Sequence, residues 1–253
     1  MRRPVLALCL LVLLAGCSLG GTDPTATPTP TDELTPENAP PGVTADDGTL
    51  TDPDALLAAH TARLNESGFV TEVRVNATLV RNGEPTAVPR RQVVRAEAGL
   101  VEYNNTVLNP GSRFDVWGNT TVQAVRLEAG GGVRYGSGEP QDAATLSGEN
   151  LVSRYLSAGE WTVTNTTVEN GTTLHTLRST GLPADPAAVP ENATDVREYG
   201  AVVIVDDEGR IRYFEARGDY TVDGYEGSFL VRQRLVSTDA PAVERPAWVA
   251  EAL

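Results

Sequence analysis

Apolar and polar positions repeat with two different periods in the chain after residue 52. Residues 53–66 carry apolar side chains three and four positions apart, which predicts a helix that Asp52 begins and Gly68 ends. From Phe69 to Leu79, alternate positions hold apolar residues or threonine, and from Glu72 onward the positions between them are polar, which predicts a strand. Asn82-Gly83 then favours a tight hairpin turn.

The same alternation continues through the rest of the chain. A second helix is predicted over 148–157, and the segment Ala201–Val205 is apolar on both faces, as in a central strand covered on both sides. Runs of strands with few helices predict a mainly β (α+β) domain, built as an antiparallel meander over 52–253. The further strands are predicted over 87–97, 100–108, 113–117, 120–128, 132–136, 161–168, 172–177, 199–205, 211–220 and 228–236.

The N-terminus carries an export signal. Arg2 and Arg3 precede an apolar run over 5–14 that is too short to span a bilayer, so residues 1–16 are predicted to be a signal peptide. The two arginines fit a twin-arginine signal and an ordinary one equally well.

The signal ends in Leu14-Ala15-Gly16-Cys17, which resembles the lipobox of prokaryotic lipoproteins. The resemblance implies cleavage before Cys17 and a lipid on its sulfur. Such a lipid would hold the protein on the outer face of the cytoplasmic membrane, with its domain outside the cell.

A tether is predicted between the lipid and the domain. Residues 17–51 are rich in threonine, proline and acidic residues, and 18–51 contain no aromatic or basic residue. Such a segment buries too little apolar surface to fold, so it is predicted to be disordered.

Charge excludes one class of partner. The chain has 34 acidic and 20 basic residues for a net charge of −14, and all the basic residues are arginine. An acidic surface repels nucleic acid, which is therefore excluded as a partner. The acid excess and the absence of lysine resemble proteins of extreme halophiles, and the whole chain is similar to uncharacterised envelope lipoproteins of halophilic archaea.

Motifs for catalysis or for a metal are not found in the sequence. Cleavage would remove Cys9 and the lipid would occupy Cys17, which leaves no thiol for a disulfide or a metal site. His60 and His175 are joined to no motif, and the acidic run 206–208 lacks calcium-ligand spacing and is interpreted as a solvated hairpin tip. The sequence therefore predicts a protein that is not an enzyme and uses no metal or other cofactor.

The layout of a lipobox, a tether, an early helix, a mid-chain helix and a long meander resembles Lol-type lipoprotein carriers and mycobacterial glycolipid-binding lipoproteins. That resemblance implies a strongly curved antiparallel sheet, or half-barrel, with two or three covering helices and a hydrophobic cavity between them. The large aromatic side chains are candidates to line such a cavity, although residues of this kind are more often ordinary core. They are Phe69, Trp117, Trp161, Tyr213, Phe214 and Phe229.

Seven Asn-x-Ser/Thr sequons predict an N-glycosylated surface. They stand at Asn65, Asn76, Asn104, Asn119, Asn165, Asn170 and Asn192.

Two functions remain open from the sequence. The first is a lipid-anchored envelope protein that binds a hydrophobic, lipid-like ligand or a lipid-linked partner. The alternative is a structural or protein-interaction module of the cell surface with a packed core and no ligand cavity. Both use the same apolar residues, so the sequence does not separate them.

Overall fold

The computed structural model describes residues 29–30, 34–157, 160–182, 188–189, 192–239 and 241–253. Within these ranges no helix has the length and apolar character needed to cross a membrane. The predicted signal peptide and Cys17 lie outside the described residues, as does the tether up to residue 28.

The first helix, α1 (Pro53–Ser67), begins and ends where the sequence predicts. The Asp52 side chain accepts a hydrogen bond from the Ala55 N–H at 3.0 Å, and proline occupies the first helical position, where no N–H is needed. Gly68 ends the helix with a φ of 71°. Its buried face consists of Leu56, Leu57, His60 and Leu64.

Every predicted strand is found, and most are longer than predicted because the hairpin turns are tight. The predicted second helix is found as α3 (Glu149–Leu156), whereas the short helix directly before it, α2 (Ala143–Ser147), was missed. The chain ends in α4 (Val249–Ala252). The strands are β1 (Thr29–Pro30), β2 (Phe69–Arg81), β3 (Glu84–Ala96), β4 (Glu102–Asn109), β5 (Ser112–Asn119), β6 (Gln123–Ala129), β7 (Gly132–Gly138), β8 (Thr162–Glu169), β9 (Thr172–Ser179), β10 (Thr194–Asp206), β11 (Ile211–Val222) and β12 (Tyr225–Ser237).

All the strands join one 12-stranded sheet in the order β1-β8-β9-β10-β11-β12-β2-β3-β4-β5-β6-β7. Every pairing is antiparallel. The sheet therefore consists of two meanders, β2–β7 and β8–β12, which are joined by the pairing of β12 with β2. The predicted class is confirmed: a curved antiparallel half-barrel with helices packed on it.

The core lies between the sheet and the helices. The largest buried cluster joins α1 and α3 to strands β8–β12, with Trp161, Phe214 and Phe229 among its members. A second cluster joins α1 and α2 to the other meander and contains Phe69 and Leu146. The helices thus bridge the two halves of the sheet from one side.

A third, smaller cluster lies on the opposite face of the sheet. Trp117 and Ala124 are covered there by Val243 and by Val249 of α4. The Arg245 guanidinium stacks 4.9 Å from the centre of the Trp117 ring, a favourable cation–π contact. The C-terminal segment therefore covers the outer face of β5 and β6.

The domain begins earlier than residue 52, which corrects the predicted end of the tether. Leu50 is buried, and its N–H donates to the Trp161 carbonyl at 2.9 Å. The Val163 N–H donates to the Gly48 carbonyl at 2.8 Å, and Thr49 forms an antiparallel β-bridge with Thr162. These backbone hydrogen bonds cover the start of β8, which β1 leaves unpaired and which would otherwise present free backbone groups to another chain.

Strand β10, whose segment Ala201–Val205 is apolar on both faces, is fully buried on one face only. β10 lies inside the sheet between β9 and β11, as its composition predicts. Ala201, Val203 and Val205 are buried, but Val202 and Ile204 on the other face are partly exposed. Full coverage on both sides was therefore a wrong expectation, because the helices lie on one face of the half-barrel.

Candidate functional site: a groove between the sheet and the helices

An open groove of about 580 Å³ lies between strands β2–β6 and helices α2 and α3. Its volume is within the range of about 300–1,000 Å³ that is usual for small-molecule sites. It is lined by Thr71, Val73, Val75, Arg90, Gln92, Val94, Asn105, Val107, Asn109, Ser112, Phe114, Leu127, Gln141, Thr145, Leu146, Gly148, Asn150, Leu151 and Arg154.

Strand register explains why these side chains share one face. The Asn82-Gly83 turn pairs Val73 with Gln92 and Val75 with Arg90 across β2 and β3. Residues directly opposite each other in an antiparallel pair point to the same side. The inward side of β3 is therefore polar where that of β2 is apolar.

One end of the groove is closed by the second core cluster. Val94 and Leu146 belong both to that cluster and to the groove wall. Val107, Leu127 and Leu151 continue the apolar lining towards the open part. An apolar chain lying here would bury surface against these walls.

A row of amide side chains crosses the floor of the groove. The Gln92 Nε2 donates to the Asn105 Oδ1 at 3.1 Å, and the Asn105 Nδ2 donates to the Gln141 Oε1 at 3.1 Å. The Gln141 backbone N–H donates to the hydroxyl oxygen of Tyr103 at 2.8 Å. Tyr103 is fully buried, and this burial raises the pKa of its hydroxyl. The row is fixed by its own hydrogen bonds, which orient its polar groups beside the apolar side chains of the lining.

Among the described residues that line the groove, the only charged ones are two arginines. Arg90 lies on β3, and Arg154 lies in the last turn of α3. Both are exposed, and among the described residues neither forms an ion pair. The Arg90 Nη2 donates to the Gln92 Oε1 at 3.3 Å, which connects it to the amide row.

The turn between α2 and α3 sets the position of the helical wall. Gly148 adopts a φ of 86°, and a Cβ there would lie 2.2 Å from the Gln233 Oε1. The Gln233 Nε2 donates to the Ser147 carbonyl at 2.9 Å, and the His60 Nε2 lies 3.4 Å from the same oxygen. The turn is therefore held between the sheet and α1, and only glycine fits it.

The six aromatic residues predicted to line a cavity do not line this groove. Five of them are buried in the packed clusters, at most 4% exposed. Tyr213 lies on the outer face, where its hydroxyl donates to Glu215 at 2.5 Å. These residues were predicted from their size and aromatic character. Large aromatic side chains are commonly core residues, because they fill the space between layers. The five buried residues are Phe69, Trp117, Trp161, Phe214 and Phe229.

The predicted glycosylation sites are at the surface to different degrees. The asparagines that are exposed are Asn76, Asn165, Asn170 and Asn192, and those that are partly exposed are Asn65, Asn104 and Asn119. Asn170 adopts a φ of 52°, as the hairpin turn requires, so it also has a structural role. Glycosylation stays a prediction.

A protein-family model described as "Family of unknown function (DUF7537)" matches residues 2–252. The chain belongs to this family. A search of the curated proteins finds no match.

Solved structures that resemble the chain include mycobacterial lipoproteins and a LolA superfamily protein, the two groups that its layout resembles. Lipoprotein LppX of Mycobacterium tuberculosis is 17% identical with a TM-score of 0.35, covering 75% of this chain and 97% of that chain. LprF of Mycobacterium bovis is 10% identical with a TM-score of 0.31, covering 77% and 95%. A LolA superfamily protein of Nitrosomonas europaea is 8% identical with a TM-score of 0.26, covering 73% and 94%.

Proposed function

We propose that this protein is a lipid-anchored protein of the cell envelope that binds a hydrophobic, lipid-like ligand in the groove. The observation that carries the proposal is the groove itself, which has apolar side chains on both walls, a closed inner end and an ordered amide row. A packed interaction module has no use for such a space. Water in an apolar groove is displaced favourably by an apolar chain.

The proposed anchor is the lipid on Cys17. β1 pairs with β8 at Thr29↔Val168, so the domain is attached to the chain only 29 − 17 = 12 positions after that cysteine. Twelve residues span at most about 40 Å, whatever their conformation. The domain and its groove would then stay close to the membrane surface.

Replacing Cys17 by serine is expected to release the protein from the membrane. The serine hydroxyl accepts no thioether-linked lipid, and a single export signal without a lipid leaves no apolar anchor. Fractionation of expressing cells should move the protein from the membrane pellet to the soluble extracellular fraction. Cys9→Ser changes the other cysteine and should leave the protein in the pellet; retention of the Cys17→Ser protein would contradict lipid anchoring.

Leu127→Asp is expected to weaken binding of a neutral apolar probe about tenfold or more, because a carboxylate in the apolar wall must be desolvated when the probe binds. The full chain carrying Cys17→Ser, which needs no detergent, would be titrated with N-phenyl-1-naphthylamine and followed by fluorescence. Val133→Asp is the matched control: Val133 lies on β7 of the same hairpin, is 44% exposed and is not in the groove lining.

Native mass spectrometry of the same chain, purified from its own host, tests whether the groove is occupied in the cell. A mass excess of lipid size that disappears on solvent extraction would support the proposal. A bare or merely glycosylated mass, together with equal probe binding by the two aspartate variants, would overturn it and favour the packed interaction module.

A further inference from the structure

The charged side chains in the described lining of the groove are positive, whereas the protein as a whole has a net negative charge. The chain carries 34 acidic against 20 basic residues, yet the described residues that line the groove include Arg90 and Arg154 and no aspartate or glutamate. Some arginines of the described residues are paired with acids, as Arg210 and Arg212 are with Asp206, and others are not. What distinguishes Arg90 and Arg154 is that both line the groove and that no acidic side chain is among the described residues of its lining.

The two arginines lie on opposite walls, one on the sheet and one on the helices. Arg90 pairs with Val75 on β2, whereas Val94, at the closed end, pairs with Thr71. Arg90 is thus four residues along β3 from the closed end, and Arg154 is in the last turn of α3, after Leu151 of the lining. On the sheet wall, the cationic position is therefore separated from the apolar closed end by four residues of β3.

Resting on the proposed function, we propose that the ligand is a single-chain anionic amphiphile. Its apolar chain lies against Val94, Leu127 and Leu146, and its anionic group binds Arg90 and Arg154. The volume of about 580 Å³ matches one small ligand. Guanidinium groups form strong, charge-assisted hydrogen bonds with carboxylate or phosphate oxygens. The Arg90 guanidinium donates to the Gln92 Oε1, which holds it beside the amide row.

The test compares an anionic ligand with its neutral counterpart. Displacement of N-phenyl-1-naphthylamine from the full chain carrying Cys17→Ser would be measured with dodecanoate and with dodecanol, in the same buffer. Dodecanoate is expected to displace the probe at about tenfold lower concentration, as one or more hydrogen bonds to a charged group would give. Acetate at the same concentrations should displace nothing, because the anionic group without its chain does not bury apolar surface.

Arg90→Gln and Arg154→Gln should each reduce the preference for dodecanoate about fivefold or more, and together they should abolish it. Arg95→Gln is the matched control. Arg95 is an exposed arginine on the same strand that is absent from the groove lining and, in the part of the chain that the structure describes, forms no ion pair. Because all three guanidinium groups are exposed, thermal unfolding should be the same in the variants as in the parent.

Equal displacement by dodecanoate and dodecanol would overturn this inference and leave the hydrophobic groove intact. A preference that persists in the double variant would overturn the role of the two arginines. A groove that binds neither the probe nor either ligand would overturn the proposed function as well.

Discussion

Asp206→Ala is expected to lower the free energy of unfolding by about 3–4 kcal/mol, near the lower end of the range for breaking a buried ion pair. Asp206 is fully buried, and its Oδ2 accepts from the Arg210 Nε at 2.8 Å and lies 2.9 Å from the Arg212 Nη2. Its Oδ1 also accepts from the Arg210 backbone N–H at 2.8 Å. Alanine would leave the Arg212 guanidinium and the Arg210 backbone N–H without this acceptor, and the Arg210 guanidinium with Glu208 alone.

The partial exposure of the two arginines keeps this effect below the maximum. Their side chains are 19% and 31% exposed, so water replaces part of the lost interaction. For a domain of this size the loss corresponds to a fall in Tm of about 10 °C, measurable by circular dichroism at constant salt. Asp207→Ala, at the exposed neighbouring position, should change Tm by little; an equally small change for Asp206→Ala would refute the role of the buried carboxylate.

The acidic run 206–208 contains one buried carboxylate that its sequence does not distinguish from its exposed neighbours. The sequence predicts a solvated hairpin tip at 206–208, and Asp207 and Glu208 are indeed exposed. The tip packs on α1 instead of projecting into solvent, since a Cβ at Gly209 would lie 2.8 Å from the Cβ of Ala59. Contacts between elements so distant in the chain leave no local pattern.

Period-two alternation and hairpin turns predict which neighbouring strands pair and on which face of the sheet each side chain lies. The Asn82-Gly83 turn alone fixes the pairing of Arg90 with Val75, so the inward position of this arginine could have been found from the sequence. The same alternation places Trp117 on the opposite side of β5 from Val116, and hence outside the concave core. Its selection as a cavity residue ignored that signal.

Other parts of the groove depend on long-range packing. Asn105 and Gln141 meet across 36 positions, and α2 was missed because its five residues are too few to show a helical period. The segment before residue 52 joins the domain through backbone hydrogen bonds to β8, which any sequence can make. Composition therefore predicted disorder for a segment whose backbone groups find hydrogen-bond partners at the edge of the sheet.

Acidification is expected to destabilise the fold through His60. This side chain is fully buried, and its Nδ1 accepts from the Ile211 backbone N–H at 3.0 Å. Burial lowers the pKa of His60 to about 4, against the opposing effects of the Ser147 carbonyl and of Asp206. The imidazole is thus neutral in the fold, and a proton on Nδ1 would remove the acceptor of Ile211.

The direction of the pH effect follows from the lowered pKa. In the unfolded chain His60 takes up a proton near pH 6.5, whereas in the fold it does so only near pH 4. Its contribution to stability is therefore complete above about pH 6.5 and is lost as the pH falls towards 4, by about 3 kcal/mol in all.

His60→Phe isolates this contribution, because phenylalanine has a similar shape and no titrating group. At pH 8 the variant should be less stable than the parent by about 1–3 kcal/mol, since the Ile211 N–H is left buried without an acceptor. Between pH 6.5 and 4 the difference should shrink and then reverse, because the parent alone loses the His60 contribution, while His175 and the carboxylates titrate in both proteins. Urea unfolding at a series of pH values and fixed salt measures the difference directly, and parallel curves over this interval would show that His60 does not control the acid stability of the fold.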